Sequence, residues 1–324
     1  MSTVYAVASG KGGVGKTTTA VNLAAAMVEA GRSVVVADLD LGMANLGDVL
    51  AVEPPEATLH DVLADEADLE AALVAAPGGF DALLGSPDIE AFGGADPAAI
   101  PEVVTALRER YDVVLLDGAA GLSHDMTVPL GLADGVILVT TTTTAGIENA
   151  AKTQQLVDRL GGSVTGAVVT RLGSAGQATP EAVADRLDVS VLGAVPEDGA
   201  IAMSAEEGRP LVTVDRQSPA AQSYREIAYG LLDEPLPRDW ADEEEAEQPA
   251  TVGPAAQAGA PDSAPDETSG EEMGEHPDEG LAETLETMEE GGEEPEPDGD
   301  VATEESEEET KSGFVSRFFG GLLG

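Results

Sequence analysis

Residues 9–18, Ser9-Gly10-Lys11-Gly12-Gly13-Val14-Gly15-Lys16-Thr17-Thr18, lie between an apolar, β-branched run, TVYAVA (3–8), and a helix-like stretch, 16–30. From Gly10 to Thr17 they satisfy GxxxxGK[ST], and strand–loop–helix is the setting in which that pattern has a mechanism. Glycines let successive backbone N–H groups curl around phosphate oxygens. Lys16 supplies positive charge to the β and γ phosphates of a nucleotide, the Thr17 hydroxyl is a candidate Mg²⁺ ligand, and the following helix presents its N-terminus to the anion. Gly10, Lys11, Gly12, Gly13, Val14, Gly15, Lys16, Thr17 and Thr18 therefore read as a nucleotide-binding loop.

Further apolar runs at 34–37, 80–84, 113–116, 136–140, 164–169 and 191–195 read as buried strands, and the stretches 97–110, 145–160 and 179–187 read as helices between them. That alternation predicts an α/β fold: a doubly wound, mainly parallel sheet with ligands at the carboxyl ends of its strands. The pattern stops after Leu232. Residues 233–310 are rich in Pro, Gly, Ala, Glu and Asp and nearly devoid of aromatics, a composition that cannot bury enough apolar surface to offset chain entropy and is expected to be disordered. The expected organisation is a nucleotide-binding domain over 1–232, an acidic linker over 233–310 and an amphipathic segment over 311–324.

The chain of 324 residues has 62 Asp and Glu against 15 Lys and Arg. Of these, 27 acidic and no basic residues fall in 241–310, so the remainder still holds 35 acidic against 15 basic groups. A folded part this acidic fits a high-salt cytoplasm, where the Debye length shrinks to roughly 3 Å at 1 M, and suggests a halophilic archaeon. It also argues against docking on nucleic acid through a broad basic face. The N-terminus lacks a basic start followed by a long apolar stretch, and no run reaches about 18 apolar residues, so a cytoplasmic protein is expected. The absence of cysteine excludes disulfides, thiolate zinc sites and cysteine-held iron–sulfur clusters, and His60, His124 and His276 are too scattered to suggest a metal site.

Lysine is the informative shortage: Lys11, Lys16, Lys152 and Lys311 are the only four, and two of them share the glycine-rich loop. Lys16 suffices for an ordinary phosphate loop, which leaves Lys11 unexplained. The KGGVGKT form resembles the deviant Walker A motif of the MinD/ParA family of ATPases, and the likeness extends over about residues 1–232. It implies an ATPase using ATP and Mg²⁺, in which Lys11 reaches across an ATP-bound homodimer to the partner's nucleotide, as an arginine finger does in trans. Asp38-Leu39-Asp40, with Gly42 and Asn45, resembles the family's first switch, so Asp40 would orient or deprotonate the attacking water and Asp38 would sit near the metal. Lys11, Lys16 and Asp40 are then the candidate catalytic residues and Thr17, Asp38 and Asp117 the candidate metal set. Gly121 fits the second switch, its N–H following the γ-phosphate. Val168-Val169-Thr170-Arg171 and Val195-Pro196-Glu197-Asp198 resemble the segments that hold adenine, and without an Asn-Lys-x-Asp signature ATP is favoured over GTP.

The likeness has departures. Gly118-Ala119 follows Asp117 where the family usually has Ser, Thr or Cys and then Pro, and the run Thr140 to Thr144 stands where it often has Pro-Glu. These put partner-binding surfaces, not the nucleotide site, in doubt.

In the final stretch, Lys311 to Gly324, Phe314, Val315, Phe318, Phe319, Leu322 and Leu323 share one half of a helical wheel. It resembles the family's membrane-targeting helix. One copy should bind weakly and two in a dimer more firmly, so ATP would place the protein peripherally on the inner face of the membrane and hydrolysis would release it. The acidic linker would act as a tether spanning roughly 45 Å. The expected role is a spatial regulator that positions the division site or polar organelles, with protein partners the sequence does not identify. The alternatives are a partition ATPase of the ParA type, which would need more basic residues, and a nucleotide-binding scaffold with little turnover.

Overall fold

The computed structural model describes residues 2–119, 121, 127–173 and 178–237. The acidic linker beyond 237 and the terminal segment with its six apolar positions, Phe314 to Leu323, lie outside the described residues.

Eight strands form one sheet: β1 (Thr3–Ala8), β2 (Val34–Asp38), β3 (Leu73–Ala75), β4 (Asp81–Leu83), β5 (Val113–Asp117), β6 (Gly135–Thr141), β7 (Val164–Leu172) and β8 (Val191–Pro196). Their order is β3-β4-β2-β5-β1-β6-β7-β8, and every pairing is parallel except β3 with β4. The alternating period of a strand divides the core into two layers. Val4, Ala6 and Ala8 of β1 face one layer, with Leu107 of the helix Ile100–Arg108 and Val157 of the helix Thr144–Arg159. Val7 faces the other, with Leu23 of the helix Lys16–Glu29 and Ile227 of the helix Pro219–Leu231. Helices thus cover both faces, as buried parallel strands require.

β1 lies between β5 and β6, where the direction of winding reverses, and its carboxyl end leads into the glycine-rich loop. Ligands bind at such a reversal in open α/β sheets. The helix expected over 97–110 begins as a 3₁₀ turn, Pro97–Ala99, capped by the Asp96 side chain on the Ala98 N–H at 3.0 Å, and becomes α-helical at Ile100. Pro97 and Pro101 fit because the first turn has no partner for their missing N–H groups.

The helix Lys16–Glu29 is stitched to the C-terminal part of the domain. Asn22 donates to the Thr18 carbonyl at 2.8 Å and accepts from the Val212 N–H at 3.1 Å. Arg225, 1% exposed, donates to both Glu29 carboxylate oxygens at 2.6 and 3.1 Å and to the Arg216 and Val212 carbonyls. Beyond the last helix, the Tyr5 hydroxyl meets the Leu231 carbonyl at 3.4 Å and Glu234 pairs with Arg32. The chain therefore leaves the described domain beside the amino ends of the strands, the pole opposite the glycine-rich loop.

Candidate functional site

The loop is fixed before any ligand is considered. A Cβ on Gly10 would stand 2.2 Å from the Asn149 carbonyl oxygen, so only glycine allows the helix Thr144–Arg159 to approach so closely. The Ser9 hydroxyl donates to the Lys11 carbonyl at 2.9 Å, and the Gly121 N–H donates to the Ser9 carbonyl at 3.1 Å. The buried Thr170 hydroxyl lies between the Val14 and Thr140 carbonyls, at 2.8 and 3.1 Å, and shares its one hydrogen between them, and Arg171 Nη2 donates to the Gly13 carbonyl at 2.6 Å. These bonds are made to the carbonyls of the loop rather than to its N–H groups.

The two lysines open onto different clefts. Lys16 lines one of about 550 Å³ with Gly15, Thr17, Thr18, Asp40 and Asn45. Lys11 lines one of about 280 Å³ with Thr141, Thr143, Arg171 and Glu197, and Gly12 and Gly13 form the wall shared by both. The threonine run is thus part of the site: Thr143 caps the helix Thr144–Arg159 through the Gly146 N–H at 3.1 Å and faces the second cleft.

At the foot of the loop, Asp38 and Asp117 end adjacent strands in register. Both are buried, at 1% and 3% exposure. Burial first, and then the charge of Asp38, push Asp117 up to about 7, against the lowering pull of the Thr17 hydroxyl and Lys16. Burial pushes Asp38 up to about 6, less far because backbone N–H groups support its charge. Its Oδ1 accepts from Asp40 at 3.1 Å, and its Oδ2 accepts from Asn45 at 2.9 Å and Leu46 at 3.0 Å. Asp38 therefore shapes the loop that follows it and starts the helix Leu46–Leu50. Three N–H groups thus occupy most of the acceptor sites of a carboxylate that was expected in the metal set.

Asp117 is the opposite case. Its Oδ1 is fully buried and has no hydrogen-bond partner among the described residues, a costly state for a carboxylate beside two others. A hard cation answers all three difficulties, and a carboxylate with a threonine hydroxyl is the oxygen donor set that Mg²⁺ takes alongside phosphate. The residues fit Mg²⁺ through Asp117 and Thr17, the Thr17 hydroxyl here bonding to Asn45 Oδ1 at 3.2 Å. Asp40, half-buried, reaches the same cleft, with one carboxylate oxygen on the Met43 N–H at 3.2 Å.

The expected adenine segments divide. Arg171 and Glu197 face the second cleft, and Glu197 is held by its N–H on the Leu172 carbonyl at 2.8 Å. Pro196 sits opposite Leu172 at the end of β8. Asp198 does something else: it accepts from the Ala200 N–H at 2.9 Å and the Ser218 hydroxyl at 2.6 Å, tying the starts of two helices together, and those donors hold its carboxyl below the usual range. Thr170 likewise braces the loop from behind. Asp198 and Thr170, both expected near the base, thus also act as supports within the protein.

A central β1 feeding a phosphate loop, with a buried acidic pair at the next two strand ends, defines a P-loop nucleotide-binding protein. The chain belongs to the family described as the CobQ/CobB/MinD/ParA nucleotide binding domain, whose model matches residues 5–211. It is 36% identical over 233 residues to an ATP-binding protein of Methanocaldococcus jannaschii, covering 72% of this chain and 88% of that one. Among solved structures it is similar to the cell division ATPase MinD of Pyrococcus furiosus, with a TM-score of 0.70 and 36% identity over 72% of this chain and 99% of that one. The septum site-determining protein MinD of Pyrococcus horikoshii, complexed with Mg-ADP, follows at 0.69 and 36%, covering 71% and 96%.

Proposed function

We propose that this protein is a Mg²⁺-dependent ATPase that dimerises when ATP is bound and acts as a spatial regulator at the inner face of the cell membrane. The observation that carries the reading is the phosphate loop with an orphaned, buried Asp117 oxygen at its foot. Binding falls to the N–H groups of Gly12 to Thr18 and to Lys16, with the metal held by Thr17 and Asp117. Bound ATP supplies the γ-phosphoryl group to be transferred to water. Asp40, at the edge of the same cleft, orients that water and takes up its proton, and the Asp38 carboxylate keeps Asp40 in place through its backbone N–H. Arg171 and Glu197, with Thr141 and Thr143, flank the space for the base and ribose.

Lys11 is exposed and lines the cleft away from Asp40, a placement that suits a contact with a second copy's nucleotide better than with the chain's own. Division-site placement is carried over from the MinD relatives, and membrane attachment from the apolar positions Phe314 to Leu323. No helix among the described residues is long and apolar enough to cross a membrane.

The test is ATP turnover by the full chain and by Asp40→Ala, each with and without anionic liposomes and duplex DNA. Turnover by the wild type alone, stimulated by liposomes, supports the reading. No turnover under any condition would instead mark a nucleotide-binding scaffold, and stimulation by DNA alone a partition ATPase.

A further inference from the structure

His60 is buried at 1% exposure and lines neither cleft. It is the second residue of the helix Leu59–Leu63, which is closed by a capping box: Asp61 Oδ2 accepts from the Thr58 N–H at 2.6 Å and from its hydroxyl at 2.7 Å. The Leu59 N–H is fixed to the Leu84 carbonyl at 2.8 Å, so the base of the imidazole is held by β4 and its exit. On one side Nδ1 accepts from the Ser86 N–H at 2.9 Å. A backbone N–H can only donate, so the ring's hydrogen is on Nε2, which faces the Leu41 carbonyl at 2.9 Å and donates to it.

Leu41 is the residue after Asp40. The loop 39–45 is held from the phosphate side by Asp38, through the N–H groups of Asp40, Asn45 and Leu46, and by Thr17 on Asn45. On its other side it meets the His60 ring and the turn after β4. A Cβ on Gly85 would lie 2.5 Å from the Ala44 Cβ and 3.4 Å from His60 Cε1, so turn, imidazole and loop are in mutual contact. The peptide joining Asp40 to Leu41 thus lies between two restraints, Asp38 on the Asp40 N–H and His60 on the Leu41 carbonyl.

We propose that His60 is a positioning residue for Asp40: through Nε2 it fixes the Leu41–Gly42 peptide, one residue beyond Asp40, and hence the direction in which the Asp40 carboxylate enters the cleft. The proposal rests on the reading of Asp40 as the residue that orients water. Once the Leu41 carbonyl is released, the loop turns about Asp40 while the phosphate loop and Lys16 stay where they are. Turnover then suffers and nucleotide binding does not.

The two nitrogens allow a discriminating test. In His60→Gln the amide can reach the Nε2 position and keep a donor for Leu41, but nothing replaces Nδ1. In His60→Asn the amide oxygen can take the Nδ1 place and keep the Ser86 bond, but Leu41 loses its donor. Each variant keeps one of two buried bonds, so a merely structural role predicts similar losses of thermal stability and of activity in both. Positioning predicts that kcat falls about 10- to 100-fold in His60→Asn with KM for ATP unchanged, and that His60→Gln stays within about threefold of wild type.

Backbone amide exchange over residues 41–46 in the full chain gives a readout independent of catalysis: exchange should quicken about tenfold in His60→Asn and remain slow in His60→Gln. Equal effects in the two, or a larger effect in His60→Gln, would overturn the proposal. If wild type and Asp40→Ala hydrolyse ATP equally, the reading of Asp40 fails, and with it the catalytic half of the proposal; the exchange comparison still decides whether His60 holds the loop. If neither His60 variant folds, Gly85→Ala takes their place, since its Cβ presses on Ala44 from the same side. Unchanged exchange at 41–46 and unchanged kcat in that variant would equally refute the restraint.

Discussion

Replacing Asp117 by Asn should make the ligand-free protein more stable while removing its stabilisation by Mg-ATP. Asp117 is 3% exposed, in register with Asp38, and its pKa is pushed from 3.8 to about 7 by burial and by that neighbouring charge. A carboxyl whose folded pKa lies above its unfolded value binds its proton more tightly when folded. The stabilisation from that tighter proton binding is full below about pH 3.8, is lost as pH rises toward 7, and is absent above it. Three pH units at about 1.4 kcal/mol each set a ceiling of about 4 kcal/mol on the penalty of the ionised form at pH 8.

Part of that ceiling belongs jointly to Asp38 and vanishes for both groups when Asp117 becomes an amide. Against it, the Asn amide brings N–H donors that need acceptors in a buried place, worth about 1–3 kcal/mol if unmet. The net expectation is a gain of about 2 kcal/mol, or roughly 4–8 °C in Tm for a domain of this size. Scanning calorimetry of both proteins between pH 5 and 8, at one high salt concentration, measures it. The advantage of the variant should grow with pH, and saturating Mg-ATP should raise Tm for the wild type alone. A variant less stable than wild type at pH 8, or a difference between the two that does not change with pH, refutes the account of a strained, cation-seeking carboxylate.

Lys11→Ala should keep nucleotide binding but lose ATP-induced dimerisation by light scattering, whereas Lys16→Ala should lose both. Gly10→Ala forces a methyl against the Asn149 carbonyl, so it should cost about 1–3 kcal/mol in urea unfolding and weaken the thermal shift with ATP. Arg225→Met leaves Glu29, itself 24% exposed, only the longer pairing with Arg216 at 3.6 Å, and should cost about 3 kcal/mol, much of it recovered when Glu29→Leu is added. Flotation with anionic liposomes and ATP should improve as salt rises, because the acidic linker is repelled by the lipids at low salt; weaker binding at molar salt would contradict that tether.

The parallel strands were legible because most are short β-branched runs, and the phosphate loop because glycine and lysine spacing carries its own mechanism. The edge was less so. β3 pairs antiparallel with β4 over three residues, Leu73–Ala75, and a run so short has no periodicity to read. Side-chain duties toward the rest of the chain were not legible. Asp38 is engaged by the N–H groups of Asn45 and Leu46, seven and eight residues on, and Asp198 by Ser218, twenty residues on. Such partners are set by how the loops close, which no local pattern encodes. His60 gave no signal of its own, since a lone histidine amid apolar residues looks the same whether it fills a core or spans two loops. The capping pattern Thr58-x-x-Asp61 around it was the available hint that its helix is short and firmly placed.

The exit of the chain at Leu231–Glu234, beside the first residues of β1 and the Arg32 guanidinium, has a geometric consequence. If two copies meet cleft to cleft, their exits are at the far ends of the assembly, separated by twice the depth of the sheet. Strands of about six residues at about 3.3 Å each make that depth about 20 Å, so the separation is of the order of 40 Å before any loop is added. A short connector would hold the two terminal segments on opposite outer poles, with no common plane within reach. A long flexible connector would let both ends land on the same side, whichever way the pair is tilted.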